Sequence, residues 1–219
     1  MIELKDVTKS YGDITPIKNV TLQIKKGEFI SIIGPSGSGK TTLLNIIAGL
    51  LTQTHGEVII DGISLKKINQ RDRVAFRRKN FGFIFQSFNL IPYLTAIENV
   101  EIPLYLAGIK KNRQESLARE LLERVGLHDK GSRFPTQLSI GEQQRVAIAR
   151  ALSNSPKVIF ADEPTGNLDI KTGMEVMCYM KELNEMGVTI LLVTHDLEAA
   201  NFSERVLKLS DGRFSNEKK

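Results

Sequence analysis

Phe29-Ile30-Ser31-Ile32-Ile33-Gly34-Pro35-Ser36-Gly37-Ser38-Gly39-Lys40-Thr41 is a nearly unbroken apolar run of strand length that passes into a glycine-rich loop. From Thr41 to Leu50 the apolar spacing turns helical. An apolar run without polar alternation marks a strand covered on both faces. Residues 34–41 have the spacing G-x-x-x-x-G-K-S/T, and a strand before it with a helix after it is the setting in which that spacing makes a phosphate cradle. Gly34, Gly37 and Gly39 let backbone N–H groups curl around phosphate oxygens through dihedrals that a Cβ would oppose. Lys40 then neutralises the terminal phosphates, and the Thr41 hydroxyl ligates Mg²⁺. The positive end of the helix faces the same anion. Pro35, Ser36, Ser38 and Thr42 complete the wrapping segment.

Further along, Lys157-Val158-Ile159-Phe160-Ala161 and Val188-Thr189-Ile190-Leu191-Leu192-Val193 are apolar runs of the same kind. Helical patterns at Glu142 to Ser153 and Lys171 to Met186 separate or follow them, which predicts an α/β fold around a parallel sheet. The run from Lys157 ends in Asp162-Glu163. An aspartate at a strand's carboxyl end is where a P-loop enzyme holds its metal, so Asp162 takes that role. Glu163 points the opposite way and is placed to act as general base on the attacking water. Residues 2 to 9 and 20 to 25 instead alternate apolar and polar, as half-buried antiparallel strands do. Between about 88 and 153 no core-type strand run occurs, and Leu117, Leu121, Leu122 and Val125 share one helical face. That stretch reads as a helical subdomain, 88–153, inserted into a core formed by 1–87 and 154–219. Its polar tail, Ser215 to Lys219, is expected to fray.

Composition is that of an ordinary globular chain of 219 residues, 41% hydrophobic and 25% charged. No apolar stretch approaches the ~20 residues of a membrane span. The opening residues lack the pattern of a secretion signal, so the chain is expected in the cytoplasm. Its net charge of +5 is spread over short clusters such as Lys25-Lys26 and Arg77-Arg78-Lys79, with no aromatic residues interleaved, and no nucleic-acid partner is expected. Cys178, the single cysteine, lies among Val176, Met177 and Met180 and is expected as a buried small hydrophobe.

At Leu138-Ser139-Ile140-Gly141-Glu142-Gln143-Gln144-Arg145 the sequence carries a feature that P-loop chemistry alone does not require. Ser139 and its neighbouring backbone donors open a helix and offer a second anion site. The stretch resembles the ABC signature, usually L-S-G-G-Q or L-S-G-G-E, and the resemblance extends over essentially the whole chain. It implies a RecA-like P-loop core with a mixed or parallel sheet, an N-terminal antiparallel β subdomain and an inserted α-helical subdomain. The implied activity is ATP hydrolysis in a head-to-tail homodimer, with each ATP held between the P-loop of one copy and Ser139, Gly141 and Glu142 of the other. Tyr11 matches the aromatic that stacks on adenine, and Gln86 matches the glutamine that reaches Mg²⁺ and the attacking water. Asp169, in Gly166-Asn167-Leu168-Asp169, matches the loop that touches the opposite copy. His195 matches the histidine at the γ-phosphate; it ends a buried strand, whereas His55 and His128 lie in polar, turn-like stretches and receive no role. The implied partner is a separate transmembrane permease, with the chain peripheral at the inner face of the cell membrane. Gly-Asn-Leu-Asp, the signature glutamate and Phe-Gln-Ser-Phe-Asn-Leu-Ile-Pro look like the MacB/LolD/FtsE group. Proteins acting on DNA or chromosome structure share the ATPase motifs and form the alternative, but they insert long coiled coils or zinc modules of which this sequence has no trace.

Ile140 departs from the signature pattern. If its position needs a glycine-only dihedral, a β-branched residue is strained there by ~1–3 kcal/mol, and Ile140→Gly raises dimerisation or hydrolysis. If the dihedrals are ordinary and the side chain points away from the nucleotide, the rates stay unchanged. Both readings are compatible with the sequence.

Overall fold

A computed structural model describes residues 1–215; the rest of the tail expected to fray lies outside the described residues. In chain order the elements are β1 (Ile2–Tyr11), β2 (Ile14–Ile24), β3 (Phe29–Ile33), α1 (Lys40–Ile47), β4 (His55–Ile60), β5 (Ile63–Ser64) and α2 (Gln70–Asn80). There follow β6 (Phe81–Phe85), α3 (Ala96–Leu106), α4 (Lys111–Arg124), a 3-10 turn at Pro135–Gln137, α5 (Ile140–Leu152) and β7 (Val158–Asp162). The chain ends with α6 (Ile170–Glu185), β8 (Thr189–Thr194), α7 (Leu197–Ala200), β9 (Arg205–Ser210) and β10 (Arg213–Phe214). Two compact units are formed, Met1–Arg77 with Met180–Lys219, and Arg78–Tyr179.

In the first unit β2, β1, β4 and β5 make an antiparallel sheet, as the alternation of residues 2–9 and 20–25 predicts. Ile2, Leu4 and Val7 point inward with Val20, Leu22 and Ile24, and all six are buried. A second sheet has β3 between β8 and β9, both parallel to it, with β10 antiparallel at the edge of β9. Every residue of β8 is buried and β3 is buried up to Ile32, which accounts for their unbroken apolar runs. α1 stops earlier than its apolar pattern suggests. Gly49 adopts φ +66°, and the Gly49 and Leu50 N–H groups donate to the Ile46 and Asn45 carbonyls, a turn that closes the helix on a left-handed glycine.

The second unit pairs β6 with β7 in parallel; α5 packs on β6, and α3 and α4 pack on α5 and on each other. Across that pair Phe83 stacks on Phe160, while Phe81 meets the same ring edge-on. α3 begins with a reciprocal cap between Thr95 and Glu98 and contains Pro103, and α4 buries Gln114, Ala118, Leu121 and Leu122. Leu117, expected on the buried face, is only half-buried. The expectation for Cys178 is overturned: it is exposed, while Val176, Met177 and Met180 are buried. At ~100° per residue, position 178 has rotated off the stripe that 176, 177 and 180 share.

Candidate functional site

In the first unit, Ile33 of β3 pairs with Thr194 of β8, so Gly34 and His195 leave the sheet at neighbouring carboxyl ends. Ligands of open α/β sheets bind at that edge. A Cβ on Gly34 would lie 2.2 Å from the Leu209 carbonyl oxygen, and one on Gly39 would lie 2.4 Å from that of Pro16. Gly39 also has φ +102° and caps α1. Glycine is therefore required by close backbone approach at 34, and by both approach and dihedral at 39. Pro35, Ser36 and Gly37 form the exposed rim of the loop. Beneath the rim, Ser38 is buried and its Oγ has no hydrogen-bond partner among the described residues.

Lys40 is only 8% exposed, and its Nζ donates to the Gly34 and Pro35 carbonyls at 2.8 and 3.0 Å. Neutral carbonyls leave the ammonium charge uncompensated, so the loop is poised for an anion. Thr41 and Thr42 stand in the first turn of α1. His195 is exposed at the end of β8. Tyr11 closes a two-residue turn opposite Ile14, with the Lys9 ammonium 4.7 Å from its ring centroid. Two residues beyond Ile14, the Pro16 carbonyl abuts Gly39, so the tyrosine turn leads directly into the wall of the phosphate loop.

In the second unit, Phe85 pairs with Asp162, so Gln86 and Glu163 also leave neighbouring strand ends. Glu163 has φ +50°, a left-handed conformation that costs a non-glycine residue about 1 kcal/mol or more and persists where the surroundings enforce it. The turn is closed by Gly166 N–H donating to the Glu163 carbonyl at 3.1 Å. A Cβ on Gly166 would lie 2.8 Å from Gln86 Nε2, and Asn167 Nδ2 donates to the Gln86 carbonyl at 2.8 Å. The loop after Glu163 and the residue after β6 are thus interlocked. Beyond Gln86, Phe88 and Asn89 are both left-handed, and the Arg150 guanidinium of α5 donates to both of their carbonyls. Burial lowers the Arg150 pKa from its usual value.

Ser139 is the N-cap of α5, with extended dihedrals. Its Oγ accepts from Glu142 N–H at 3.2 Å while Glu142 Oε2 accepts from Ser139 N–H at 2.8 Å. The Ser139 backbone bond holds the Glu142 carboxyl below its usual range against partial desolvation, and Lys130, 3.7 Å away, acts in the same direction. Ile140 is the first helical residue, lies outside the positive-φ set and is 53% exposed. The glycine-only dihedral is excluded: Ile140 keeps ordinary helical dihedrals, with its side chain exposed. Gly141 is constrained instead, because a Cβ there would lie 2.6 Å from Thr172 Cγ2. Thr172 is in turn fixed by Asp169, whose carboxylate accepts from Thr172 N–H at 3.0 Å and Oγ1–H at 2.6 Å. These bonds hold the Asp169 pKa below its usual value.

The first unit gathers Tyr11, residues 34–42 and His195. The second gathers Gln86, Asp162 and Glu163 at one strand edge, and Ser139, Gly141 and Glu142 beside Asp169. Sequence reasoning missed Gln144, Arg150 and Thr172, which tie these segments together. A Ser-x-x-Glu cap signal was present at 139–142, but nothing local marks the long-range partners of the other three. Among the described residues no cluster of three or more His, Cys, Asp or Glu would hold a metal alone, and no helix is long and apolar enough to cross a membrane.

Strand, glycine loop and helix in one unit, with an Asp-Glu pair ending a strand in the other, define the core of a P-loop ATPase. The chain belongs to the ABC transporter family, whose profile matches residues 17–166. It is 53% identical over 216 residues to an uncharacterized ABC transporter ATP-binding protein of Methanocaldococcus jannaschii, covering 97% of this chain and 96% of that one. It is 46% identical over 219 residues to the macrolide export ATP-binding/permease protein MacB of Campylobacter jejuni, covering all of this chain but only 34% of that protein. A solved dimeric structure of the ATP-binding cassette MJ0796, a Methanocaldococcus jannaschii protein, in a post-hydrolysis state bound to ADP and Pi superposes with a TM-score of 0.92. Identity to that structure is 49%, covering 100% of this chain and 98% of that one.

Proposed function

We propose that two copies of the chain, joined head to tail, bind and hydrolyse ATP and thereby drive a separate transmembrane permease at the inner face of the cell membrane. The observation that carries the hydrolytic part is Glu163, held left-handed directly after Asp162 at the carboxyl end of β7. Support for the dimer comes from the MJ0796 structure, and support for the permease from MacB, whose name joins both parts and of which this chain spans about a third. The work done is export, lipoprotein release or mechanical transmission to extracytoplasmic enzymes, and the 219 residues act as one cassette. No observation favours a role on DNA.

In this scheme Lys40 exchanges the Gly34 and Pro35 carbonyls for phosphate oxygens, and the loop N–H groups of residues 34–42 hold the rest of the polyphosphate. Tyr11 receives the adenine on its ring face. Glu163 takes the proton from water as the water oxygen bonds to the γ-phosphorus and the bond to the ADP oxygen breaks; ADP and phosphate leave, and the proton passes to solvent. His195 steadies the γ-phosphate, and Ser139, Gly141, Glu142 and Asp169 of the second copy close the site. Thr41, Gln86 and Asp162 offer a hydroxyl, an amide oxygen and a single carboxylate, a hard-oxygen set that suits Mg²⁺ shared with substrate phosphates. The ion supplies neutralisation of phosphate charge when bound. Glu163→Gln is expected to lower turnover by ~10²–10⁴ while ATP binding persists. Wild-type turnover in that variant would remove Glu163 from the role.

A further inference from the structure

One buried polar side chain of α5 has no part in the scheme above. Gln144 has 0% exposure, donates from Nε2 to the Pro164 carbonyl at 2.6 Å, and keeps an Oε1 with no hydrogen-bond partner among the described residues. A methionine would fill nearly the same volume and remove the unmatched Oε1, but it would also take the donor from the buried Pro164 carbonyl. Side-chain volume therefore gives no reason for an amide at this position, whereas the bond to Pro164 does. Pro164 directly follows Glu163, and proline has a fixed φ and no N–H of its own. Its carbonyl is consequently the first backbone handle beyond the left-handed Glu163.

We propose that Gln144 is a positioning residue for Glu163, tethering the catalytic loop to the helix that begins with Ser139; this rests on the assignment of Glu163 as general base. The helix has an anchor at each end of this span. At its start Gly141 abuts Thr172, the partner of Asp169, and six residues beyond Gln144 the Arg150 guanidinium holds the carbonyls of Phe88 and Asn89. Between them, Gln144 fixes the one loop whose carboxylate performs the chemistry. A movement of the Ser139 end of α5 is thereby felt at Glu163.

The test compares wild type, Gln144→Met, Gln144→Glu and Glu163→Gln in steady-state ATP hydrolysis, equilibrium ATP binding and thermal melting. Gln144→Met removes one unmatched acceptor and creates another, so it is expected to melt close to the wild-type temperature and to bind ATP normally, yet to lose roughly tenfold to a hundredfold in kcat, the effect of a misplaced reacting group. Gln144→Glu adds a pH readout. Fully buried, the carboxyl is held protonated to higher pH than an exposed one and donates O–H to Pro164; once ionised it opposes that carbonyl. Its kcat relative to wild type is expected to fall as pH rises. Wild-type kcat in Gln144→Met would overturn the proposal, and so would a parallel loss of kcat and melting temperature with a flat pH ratio for Gln144→Glu. Glu163→Gln keeps the two ideas apart: if it abolishes turnover while Gln144→Met does not, the positioning role fails and the hydrolytic assignment stands.

Discussion

Replacing Ile140 with glycine tests how the signature end of α5 is built. A glycine-only backbone would release ~1–3 kcal/mol on Ile140→Gly, and even ~1.4 kcal/mol is a tenfold change in an equilibrium. The structure contains no such reservoir, because Ile140 is an ordinary first residue of a helix. Glycine there forfeits about 0.5 kcal/mol of helix propensity relative to isoleucine. With 53% of the residue exposed, roughly half of the ~1.5–3 kcal/mol of full burial is also lost. The sum is about 1–2 kcal/mol of destabilisation, a fall of about 2–8 °C in Tm at ~2–4 °C per kcal/mol. Thermal melts and steady-state ATP hydrolysis read both quantities, and turnover is not expected to rise. A variant that melted higher, or hydrolysed ATP tenfold faster, would refute the reasoning.

Gly141→Ala is expected to destabilise despite the ~1 kcal/mol propensity gain of alanine, because the new Cβ meets Thr172 Cγ2 at 2.6 Å and overpacking costs ~1–3 kcal/mol. Adding Thr172→Ser removes that methyl while keeping a hydroxyl for Asp169, so the double variant should be more stable than Gly141→Ala; absence of this rescue in melting experiments would contradict the packing account. Glu142 gives a pH prediction. Its folded pKa is lowered, so its contribution is present above the unfolded value, about 4.3, and is lost as pH falls through the folded value. Glu142→Gln keeps an acceptor for Ser139 N–H, so the stability difference between wild type and variant should shrink on acidification below about pH 4; a constant difference would exclude the cap as its source.

The parts of the fold set by local chemistry were readable in advance. β3, β7 and β8 announce themselves as unbroken apolar runs, and Gly34 and Gly39 are dictated by a loop whose backbone passes close to other backbone, Gly37 by its positive φ. β9 was harder to see because Arg205 and Lys208 break its apolar run with charge. α2 is almost wholly polar, and its single buried residue, Asn80, gives no apolar stripe to detect. The apolar pattern of α5 becomes visible only from Glu142, whereas the helix opens at Ser139, where the Ser139–Glu142 pair caps it. Gln144, Arg150 and Thr172 escaped for a different reason. Each acts through a partner on another segment, and in sequence Gln144 looks no different from its neighbour Gln143, whose amide reaches only the nearby Leu138 carbonyl.

The central claim is that ATP joins two copies of the chain and that hydrolysis separates them. The mass of Glu163→Gln in solution, measured by light scattering with ATP and Mg²⁺ and again with ADP, addresses it most directly. A doubling of mass with ATP that is absent with ADP is the predicted result; a monomer in both, with ATP demonstrably bound, would contradict it.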